Sequence, residues 1–186
     1  MAPKNLKILD LGCGTRKRPG SVGIDRNPAS KADIIHDLNV TPYPFKSSEF
    51  DEIYVDNVLE HLDNVLAVME ELYRISSPGG LVKIIVPYFR SRWACIDPTH
   101  KHFFTAGSFD YFDENSEISK IYPYSKARFR IEKTVFNENI RHKGLFALPA
   151  GLFKKVADAN PVRYETWFST LFPLDDITFY LRAEKK

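Results

Sequence analysis

The stretch Lys7-Ile8-Leu9-Asp10-Leu11-Gly12-Cys13-Gly14 decides the fold class of this chain. It starts with β-branched and aliphatic side chains, which predict a short buried strand, and it closes in a two-glycine turn. Short strands of this kind are typical of parallel sheets that are buried on both faces. Ligands of such sheets bind beyond the carboxyl ends of the strands, so the turn is the first place to look for a site.

Four more runs repeat this short apolar pattern along the first half of the chain. They predict strands at 22–25, 32–36, 51–55 and 81–86. The first three of these runs carry an acidic residue at or just past their end, as the opening strand does with Asp10, and these acids are Asp25, Asp37 and Asp56.

One helix is predicted from about Asp63 to Ser76, because apolar side chains recur there at spacings of three and four residues. Asp63 or Asn64 can cap its start, and Pro78-Gly79-Gly80 is expected to end it. The connections between the first three strands are shorter than the roughly dozen residues that a parallel crossover takes. We therefore expect the first crossover helices to be shortened or missing, with the exposed sheet face covered by the aromatic-rich second half or by a partner subunit.

The second half of the chain has a different character. The segment 128–137 alternates polar and apolar residues and predicts an antiparallel strand with Phe129, Ile131, Lys133 and Val135 on one side. A helix over 144–159 and a last strand over 177–183 follow. The predicted fold class is α/β: a Rossmann-like, mostly parallel sheet with an antiparallel C-terminal strand.

Composition limits the class of protein. The chain has 186 residues, 44% hydrophobic and 27% charged, which excludes a disordered chain and predicts a single domain over 1–186. Its two cysteines cannot form a disulfide framework, so the default prediction is a reducing, cytoplasmic setting. No run is long and apolar enough for a signal peptide or a membrane span, and the expectation is a soluble protein.

The formal net charge of the chain at pH 7 is only +2, but the basic residues are unevenly distributed along the sequence. Lysine and arginine dominate the stretch 120–143, and Arg16, Lys17 and Arg18 form a smaller cluster. Such clusters are commonly solvated faces, and they can also attract an anionic substrate.

Two nucleotide-binding motifs fail on the residues of the first turn. A dinucleotide fingerprint needs a third glycine where this chain has Lys17, and its acidic residue comes later than Asp25 does. A phosphate-binding loop needs Gly-Lys-Ser/Thr, which is absent from the turn.

Four segments in order resemble the class I S-adenosylmethionine-dependent methyltransferases. Ile8–Thr15 is similar to that family's first motif, Gly23–Asp25 to its acidic second-strand end, Phe50–Leu62 to its fourth-strand segment, and Ser77–Val82 to the turn before its fifth strand. The resemblance covers about residues 6–89, taken as a cofactor-binding half (1–89), and leaves 90–186 as a substrate-side half. It implies S-adenosylmethionine as the cofactor.

The resemblance also implies roles for individual residues. The backbone at Gly12 and Gly14, whose N–H groups could face an anion, would hold the methionine end of the cofactor, with Asp10 ordering the turn and Arg16 or Arg18 supplying charge to the carboxylate. Asp25 would accept from the ribose hydroxyls, and Asp37 from the adenine amino group. The residues expected to bind the cofactor are Asp10, Gly12, Cys13, Gly14, Asp25, Arg26, Asp37, Leu38 and Asn57. For each acid the alternative is a turn carboxylate that accepts from local N–H groups.

His61 is the predicted catalytic residue, as a base for an acceptor that must lose a proton. Its alternative is a histidine hydrogen-bonded at a helix start. Asp97, His100 and His102 form a further polar cluster, for which substrate binding or loop anchoring is favoured, and no metal is predicted.

The predicted function is methyl transfer to an O or N atom of a small molecule, with anionic acceptors included because of the basic clusters. Asp56-Asn57-Val58-Leu59 lacks the Pro-Pro-aromatic turn of amino-methylating nucleic-acid enzymes, and Cys95 does not follow a proline. Both observations argue against a nucleic-acid acceptor. Two alternatives stay open: a non-catalytic S-adenosylmethionine-binding or regulatory protein, and an RNA methyltransferase that uses the basic stretch. A homo-oligomer also stays open.

Overall fold

The computed structural model describes residues 6–139 and 147–185. The strands are β1 (Ile8–Leu11), β2 (Val22–Asp25), β3 (Ile34–Ile35), β4 (Phe50–Asp56), β5 (Ser76–Pro87), β6 (Phe129–Phe136) and β7 (Asp176–Ala183). The helices are α1 (Val65–Ile75), α2 (Arg92–Ile96), α3 (Glu117–Ile121), α4 (Ala147–Ala159) and α5 (Pro161–Trp167), with 3₁₀ turns at Leu59–His61 and Asp110–Phe112. Residues 144–146 of the helix expected over 144–159 lie outside the described residues.

All seven strands form one sheet in the order β3-β2-β1-β4-β5-β7-β6. The first five pair in parallel, and β7 runs antiparallel to both of its neighbours. This confirms the predicted α/β, Rossmann-like sheet. It also brings the carboxyl ends of β1, β2, β4 and β5 to the same edge as the start of β7, where Asp176 pairs with Pro87.

The short connections contain no crossover helix, as expected from their length. Residues 12–21 and 26–33, all of them described, form turns. Lys17 links the two connections, because its Nζ donates to both carboxylate oxygens of Asp33 at 2.8 Å. Asp33 Oδ2 also accepts from the Gly23 N–H at 2.7 Å. The Asp33 carboxylate therefore holds both connections against β2, where crossover helices would otherwise pack.

The two faces of the sheet differ in polarity, which corrects the prediction of a sheet buried on both faces. Leu9, Ile53, Val82 and Leu181 stand in one row across β1, β4, β5 and β7, and each is fully buried. The adjacent row on the opposite face is Asp10, Tyr54, Lys83 and Tyr180. We call these sides the apolar face and the polar face.

Most of the buried aromatic residues of the second half pack on the apolar face, whereas Tyr180 stands on the polar one. Phe109 contacts Phe179 edge-on at 4.6 Å, and Tyr164 contacts Phe136 at 5.1 Å. Phe179 and Phe136 both belong to the apolar side of the β6–β7 pair. The second half therefore covers mainly the apolar face, and on the polar face it contributes side chains such as Tyr180 and Glu138 that contact Lys83. Cover of the polar face by a partner subunit stays a prediction.

Helix α1 begins and ends close to the predicted bounds. Asn64 is the N-cap, and its side chain accepts from the Ala67 N–H at 3.1 Å. The helix ends at Ile75, before the predicted stop at Pro78-Gly79-Gly80, because Ser76 turns to an extended conformation and its Oγ donates to the Leu72 carbonyl at 2.6 Å. Strand β5 starts at that same residue.

Strand β6 carries an irregularity that the alternation did not reveal. Ile131 pairs with Leu181 and Lys133 with the very next residue, Tyr180, so the register shifts between Ile131 and Lys133. The shift moves Lys133 and Val135 to the polar face, whereas Phe136 reaches the apolar face. We expected one side of the strand to carry Phe129, Ile131, Lys133 and Val135. This expectation is confirmed only for Phe129 and Ile131.

Candidate functional site

The turn after β1 needs glycine at Gly12 for two reasons. Its φ is +69°, and a Cβ there would lie 2.4 Å from Cγ2 of Val58. Gly14 also has a positive φ, +52°, but nothing lies within 4 Å of the position of its Cβ. The backbone at Gly14 is thus open on one side to an approaching molecule.

The N–H groups of this turn are already paired, which corrects the expectation that they face an anion. Gly12 and Cys13 both donate to the Ile24 carbonyl, at 2.8 and 3.4 Å. Gly14 donates to Asp25 Oδ2 at 2.8 Å. An anion at this turn would have to be held by other groups.

Asp10 and Asp25 order the loops on either side of the turn. Asp10 Oδ2 accepts from the Arg18 N–H at 2.7 Å, and Asp25 Oδ1 accepts from the Asn27 N–H at 2.8 Å. Each carboxylate oxygen has a second lone pair, so Asp25 can still accept from a ligand's hydroxyl groups. The local role and the binding role are compatible at this residue.

Three adjoining pockets lie along this edge of the sheet. The first, about 230 Å³, is lined among others by Asp25, Arg26, Asp37, Leu38 and His61. The second, about 620 Å³, extends from Asp10 and the glycine turn to Arg16 and Arg18. The third, about 200 Å³, is formed by Asn57, Pro87, Trp93, Asp175 and Asp176.

All nine residues predicted to bind the cofactor line the first or the second pocket. Gly12 lines both of them, and Asn57 lines all three pockets. Asn57 follows β4 with a φ of +54°, and its N–H donates to the Ile85 carbonyl at 2.9 Å. The three pockets therefore meet at the end of β4.

Asp37 and Leu38 sit at the outer end of the first pocket. Asp37 is exposed, and its Oδ1 accepts from the Asn39 N–H at 3.0 Å. Leu38 is buried, and its carbonyl accepts from the Tyr43 hydroxyl at 2.9 Å. This tie holds the segment after β3 against the core while leaving the Asp37 carboxylate facing solvent.

His61 ends the 3₁₀ turn after β4 and lines the first pocket, not the third. Its Nδ1 lies 2.9 Å from Oγ1 of Thr99. Burial, and secondarily the neighbouring His100, lowers the pKa of His61, so its imidazole is neutral at physiological pH. The structure thus brings the predicted catalytic residue to the pocket wall shared with Asp25 and Asp37.

Two acids that sequence reasoning did not assign stand at the same edge. Asp56 and Asp176 each have a buried Oδ1 without a hydrogen-bond partner. Burial raises the pKa of Asp56, and burial together with the neighbouring Asp175 raises the pKa of Asp176 to about 6. Asp56 was visible in the sequence as a strand-end acid, whereas Asp176 joins the site only through the antiparallel pairing of β7.

The two basic clusters behave differently. Arg18 stacks over the Tyr54 ring at 3.6 Å, with Nη2 at 3.6 Å from Asp56 Oδ2, while Arg16 is exposed at the second pocket. Within the stretch 120–143, Lys120 pairs with Glu117 and Arg130 with Glu184. Residues 141 and 143 lie outside the described residues.

Comparisons with known proteins agree with this geometry. Residues 9–84 match the family model of a methyltransferase domain. Among solved structures, an S-adenosylmethionine-dependent methyltransferase from Archaeoglobus fulgidus is 19% identical, with a TM-score of 0.58 over 95% of this chain and 86% of that one. One from Mesorhizobium loti is 16% identical, with a TM-score of 0.54 over 95% and 90%.

The [4+2]-cyclase SpnF has a similar fold, at 16% identity and a TM-score of 0.57 over 97% of this chain and 75% of that one. No curated protein matches the chain. Within the described ranges, no helix is long and apolar enough to cross a membrane.

At these sequence identities the solved structures show the fold alone, and the family model assigns residues 9–84 to a methyltransferase domain. The glycine turn, the strand order and the matched segment agree with the four motifs found in the sequence. Residues 9–84 therefore match a methyltransferase domain, and the chain as a whole has the fold of solved S-adenosylmethionine-dependent methyltransferases.

Proposed function

We propose that this protein transfers a methyl group from S-adenosylmethionine to an O or N atom of a small molecule, and that anionic acceptors are the first class to test. The observation that carries the proposal is the position of Asn57, which lines all three pockets. A cofactor that spans the first two pockets would bring its sulfonium to this junction, next to the third.

The residues of the first two pockets fit the two ends of the cofactor. For the nucleoside we propose the first pocket, where Asp25 can accept from the ribose and Asp37 from the adenine amino group, with Leu38 beside the ring. For the methionine part we propose the second pocket, where the open side of Gly14 admits a ligand and Arg16 and Arg18 supply positive charge.

When bound, the cofactor would supply a sulfonium methyl: an acceptor O or N atom in line with the S–C bond would bond to the methyl carbon, and the sulfur would leave as the thioether of S-adenosylhomocysteine. The protein's contribution is to hold the acceptor close and aligned. We propose the third pocket for the acceptor, with Trp93 as an exposed wall and Asp176 as a proton acceptor. His61 remains a proposed catalytic residue through the lone pair of its neutral imidazole.

The charge of Asp176 suits this role. A carboxyl group whose pKa is about 6 is mostly ionised at neutral pH, yet it binds a proton more readily than an exposed aspartate does. The proton released by a hydroxyl or ammonium acceptor would pass to its unpartnered Oδ1. The basic stretch 120–143 offers less support for RNA, since within its described part Lys120 pairs with Glu117 and Arg130 with Glu184.

The direct test is turnover, measured as formation of S-adenosylhomocysteine from S-adenosylmethionine in the presence of small O- and N-nucleophiles. The proposal expects turnover with at least one acceptor and a rate that falls at least tenfold in Asp176→Asn. A protein that binds the cofactor without transferring its methyl to any acceptor would favour the non-catalytic alternative, which the fold shared with a cyclase keeps open. RNA affinity that falls steeply with salt would favour the RNA alternative.

A further inference from the structure

Glu60, His61 and His100 form a compact group of metal-ligating side chains beside the first pocket, which His61 lines. One ligand atom from each lies within 4.8 Å of the others. The centroids of the two imidazole rings are 4.7 Å apart. The group joins the 3₁₀ turn Leu59–His61 to the loop after α2, so no local sequence motif contains all three residues.

The carboxylate of this group lacks the partners that a buried charge needs. Glu60 is 1% exposed, and both of its carboxylate oxygens are buried without a hydrogen-bond partner. Buried carboxylates are as a rule paired with cations or hydrogen-bond donors, so two orphaned oxygens beside two imidazoles indicate a cation site.

The hydrogen bonds of the two histidines leave a lone pair on each ring. Thr99 Oγ1 donates its proton to Asp97 Oδ1 at 2.7 Å, so His61 Nδ1 must donate to Thr99 Oγ1. His100 Nδ1 must likewise donate to the Ala94 carbonyl at 2.9 Å, because a carbonyl only accepts. In the neutral form of each ring, Nε2 is then the nitrogen that carries the lone pair. Histidines that bind metals are usually oriented in this way, by donating the other N–H to an oxygen.

The loop that carries His100 is fastened to the turn that carries Glu60. The Lys101 N–H donates to the Glu60 carbonyl at 2.7 Å, and His102 Nε2 lies 2.8 Å from the Leu62 carbonyl. Lys101 Nζ also pairs with Asp63 at 2.5 Å. The two segments are therefore held together without an ion, which is the arrangement expected of a preformed site.

We propose that Glu60, His61 and His100 bind a divalent first-row transition metal ion such as Zn²⁺. Two neutral imidazoles and one carboxylate are a donor set of catalytic zinc sites and of other transition-metal sites, and three protein ligands leave a coordination position open. His61 also lines the first pocket, so the open position can take water or an oxygen of a bound molecule.

This proposal goes beyond the proposed methyl transfer and departs from the sequence expectation of no metal. With its Nε2 lone pair on the ion, His61 would no longer be a free base, and Asp176 would be the remaining proton acceptor. Of the polar cluster considered in the sequence, only His100 joins the group as a ligand. Asp97 acts through Thr99, by fixing which nitrogen of His61 is free, and His102 anchors the loop.

The test is a calorimetric titration of Zn²⁺ into the full, untagged chain, repeated with Co²⁺ and read by visible absorption. Because Cys95 is exposed close to this loop, all variants carry Cys95→Ser. We expect one ion per chain, bound at least roughly tenfold more weakly by His100→Ala and by Glu60→Gln. His36→Gln, which alters a histidine outside the group, is the matched control and should bind as the Cys95→Ser parent does.

Uptake of no ion by the folded protein would overturn the proposal, and so would equal affinity in the parent and in both ligand variants. Melting curves of each variant establish that it is folded, and His100→Ala, on a loop, keeps the test available if Glu60→Gln is unstable. S-adenosylhomocysteine is titrated into the same samples. Ion binding without S-adenosylhomocysteine binding would contradict the proposed function alone, and the reverse result would contradict the metal site alone.

Discussion

The apolar and the polar face of the sheet are built on opposite principles. On the apolar face, Leu9, Ile53, Val82 and Leu181 are fully buried beneath α1 and the aromatic second half. On the polar face, long side chains contact one another: Arg18 lies over Tyr54, and Lys83 pairs with Glu138 at 2.5 Å. A sheet can thus lose its first crossover helices when the strands themselves alternate in polarity.

The difference also separates stability from function. The acids Asp10 and Asp56 at the edge of the site belong to the polar face. Asp10 pairs with Tyr54 of the polar row, and Asp56 lies two residues after Tyr54 in β4, on the same side of the strand, where it pairs with Ile85. Asp176 stands at the same edge, paired with Pro87. We infer that the apolar face supplies most of the free energy of folding, whereas the polar face supplies charged groups to the pockets.

Truncating a side chain on the apolar face should cause the largest loss in the free energy of unfolding. Phe179→Ala removes a fully buried ring that contacts Phe109, and we expect a loss of about 3–5 kcal/mol in the free energy of unfolding. Denaturant unfolding measures it. Tyr180→Ala, the next residue and on the polar face, is the matched control and should cost less than half as much. Equal losses would contradict the comparison.

Asp10 is the buried member of the polar row, and its loss should have the next largest effect. Asp10→Ala leaves the Arg18 N–H without its acceptor, so we expect a loss of about 1–3 kcal/mol. The same denaturation experiment applies, with Asp10→Asn, which keeps an accepting oxygen, as the milder control. A loss confined to a few tenths of a kcal/mol would mean that the turn after β1 does not depend on this carboxylate.

Asp176 should make stability depend on pH. Its pKa is about 6 in the folded protein against 3.8 for a free aspartate, so its favourable contribution is complete below about pH 4 and is lost as the pH rises through 6. Asp176→Asn does not titrate. It should match the wild type near pH 4 and be more stable at pH 7.5, by on the order of 1–2 kcal/mol after solvent screening. Thermal melts across this range test the sign, and a variant less stable at pH 7.5 would refute it.

The ion pair on the polar face should have the smallest effect. Lys83 and Glu138 are 15% and 23% exposed in their side chains, and Lys83→Met keeps most of the packing. We expect a loss of about 1 kcal/mol or less. A double-mutant cycle with Glu138→Gln isolates the pair, and a coupling energy well above that value would show that the polar face stabilises the fold as a buried network.

Local pattern was enough to predict much of this fold. The apolar runs and glycine turn indicated five parallel strands, and the spacing of Gly14, Gly23 and Asp33 indicated the missing helices. The alternation of Ile53 and Val55 with polar neighbours in β4 also indicates a sheet with one apolar and one polar face, although short apolar runs of this kind predict burial on both faces. Similarly, Asn160 caps α5 and Pro161 starts it, a start signal that was not used.

Features that depend on distant contacts had no such signal. The register shift in β6 becomes visible only against β7, and Asp176 reaches the pockets only through its pairing with Pro87. The nine residues predicted to bind the cofactor line the first two pockets because they lie at strand ends that a parallel sheet collects at one edge. Glu60 and His100 are brought together by a loop whose path the sequence does not show.

Calorimetric titration of S-adenosylhomocysteine, with NADH as the control ligand, tests whether the first two pockets hold S-adenosylmethionine. We expect one site with an affinity on the order of micromolar, no binding of NADH, and a loss of about 1–2 kcal/mol in Asp25→Ala, as expected for hydrogen bonds to a charged group. Folded protein that binds neither ligand, or binds NADH instead, would contradict this expectation.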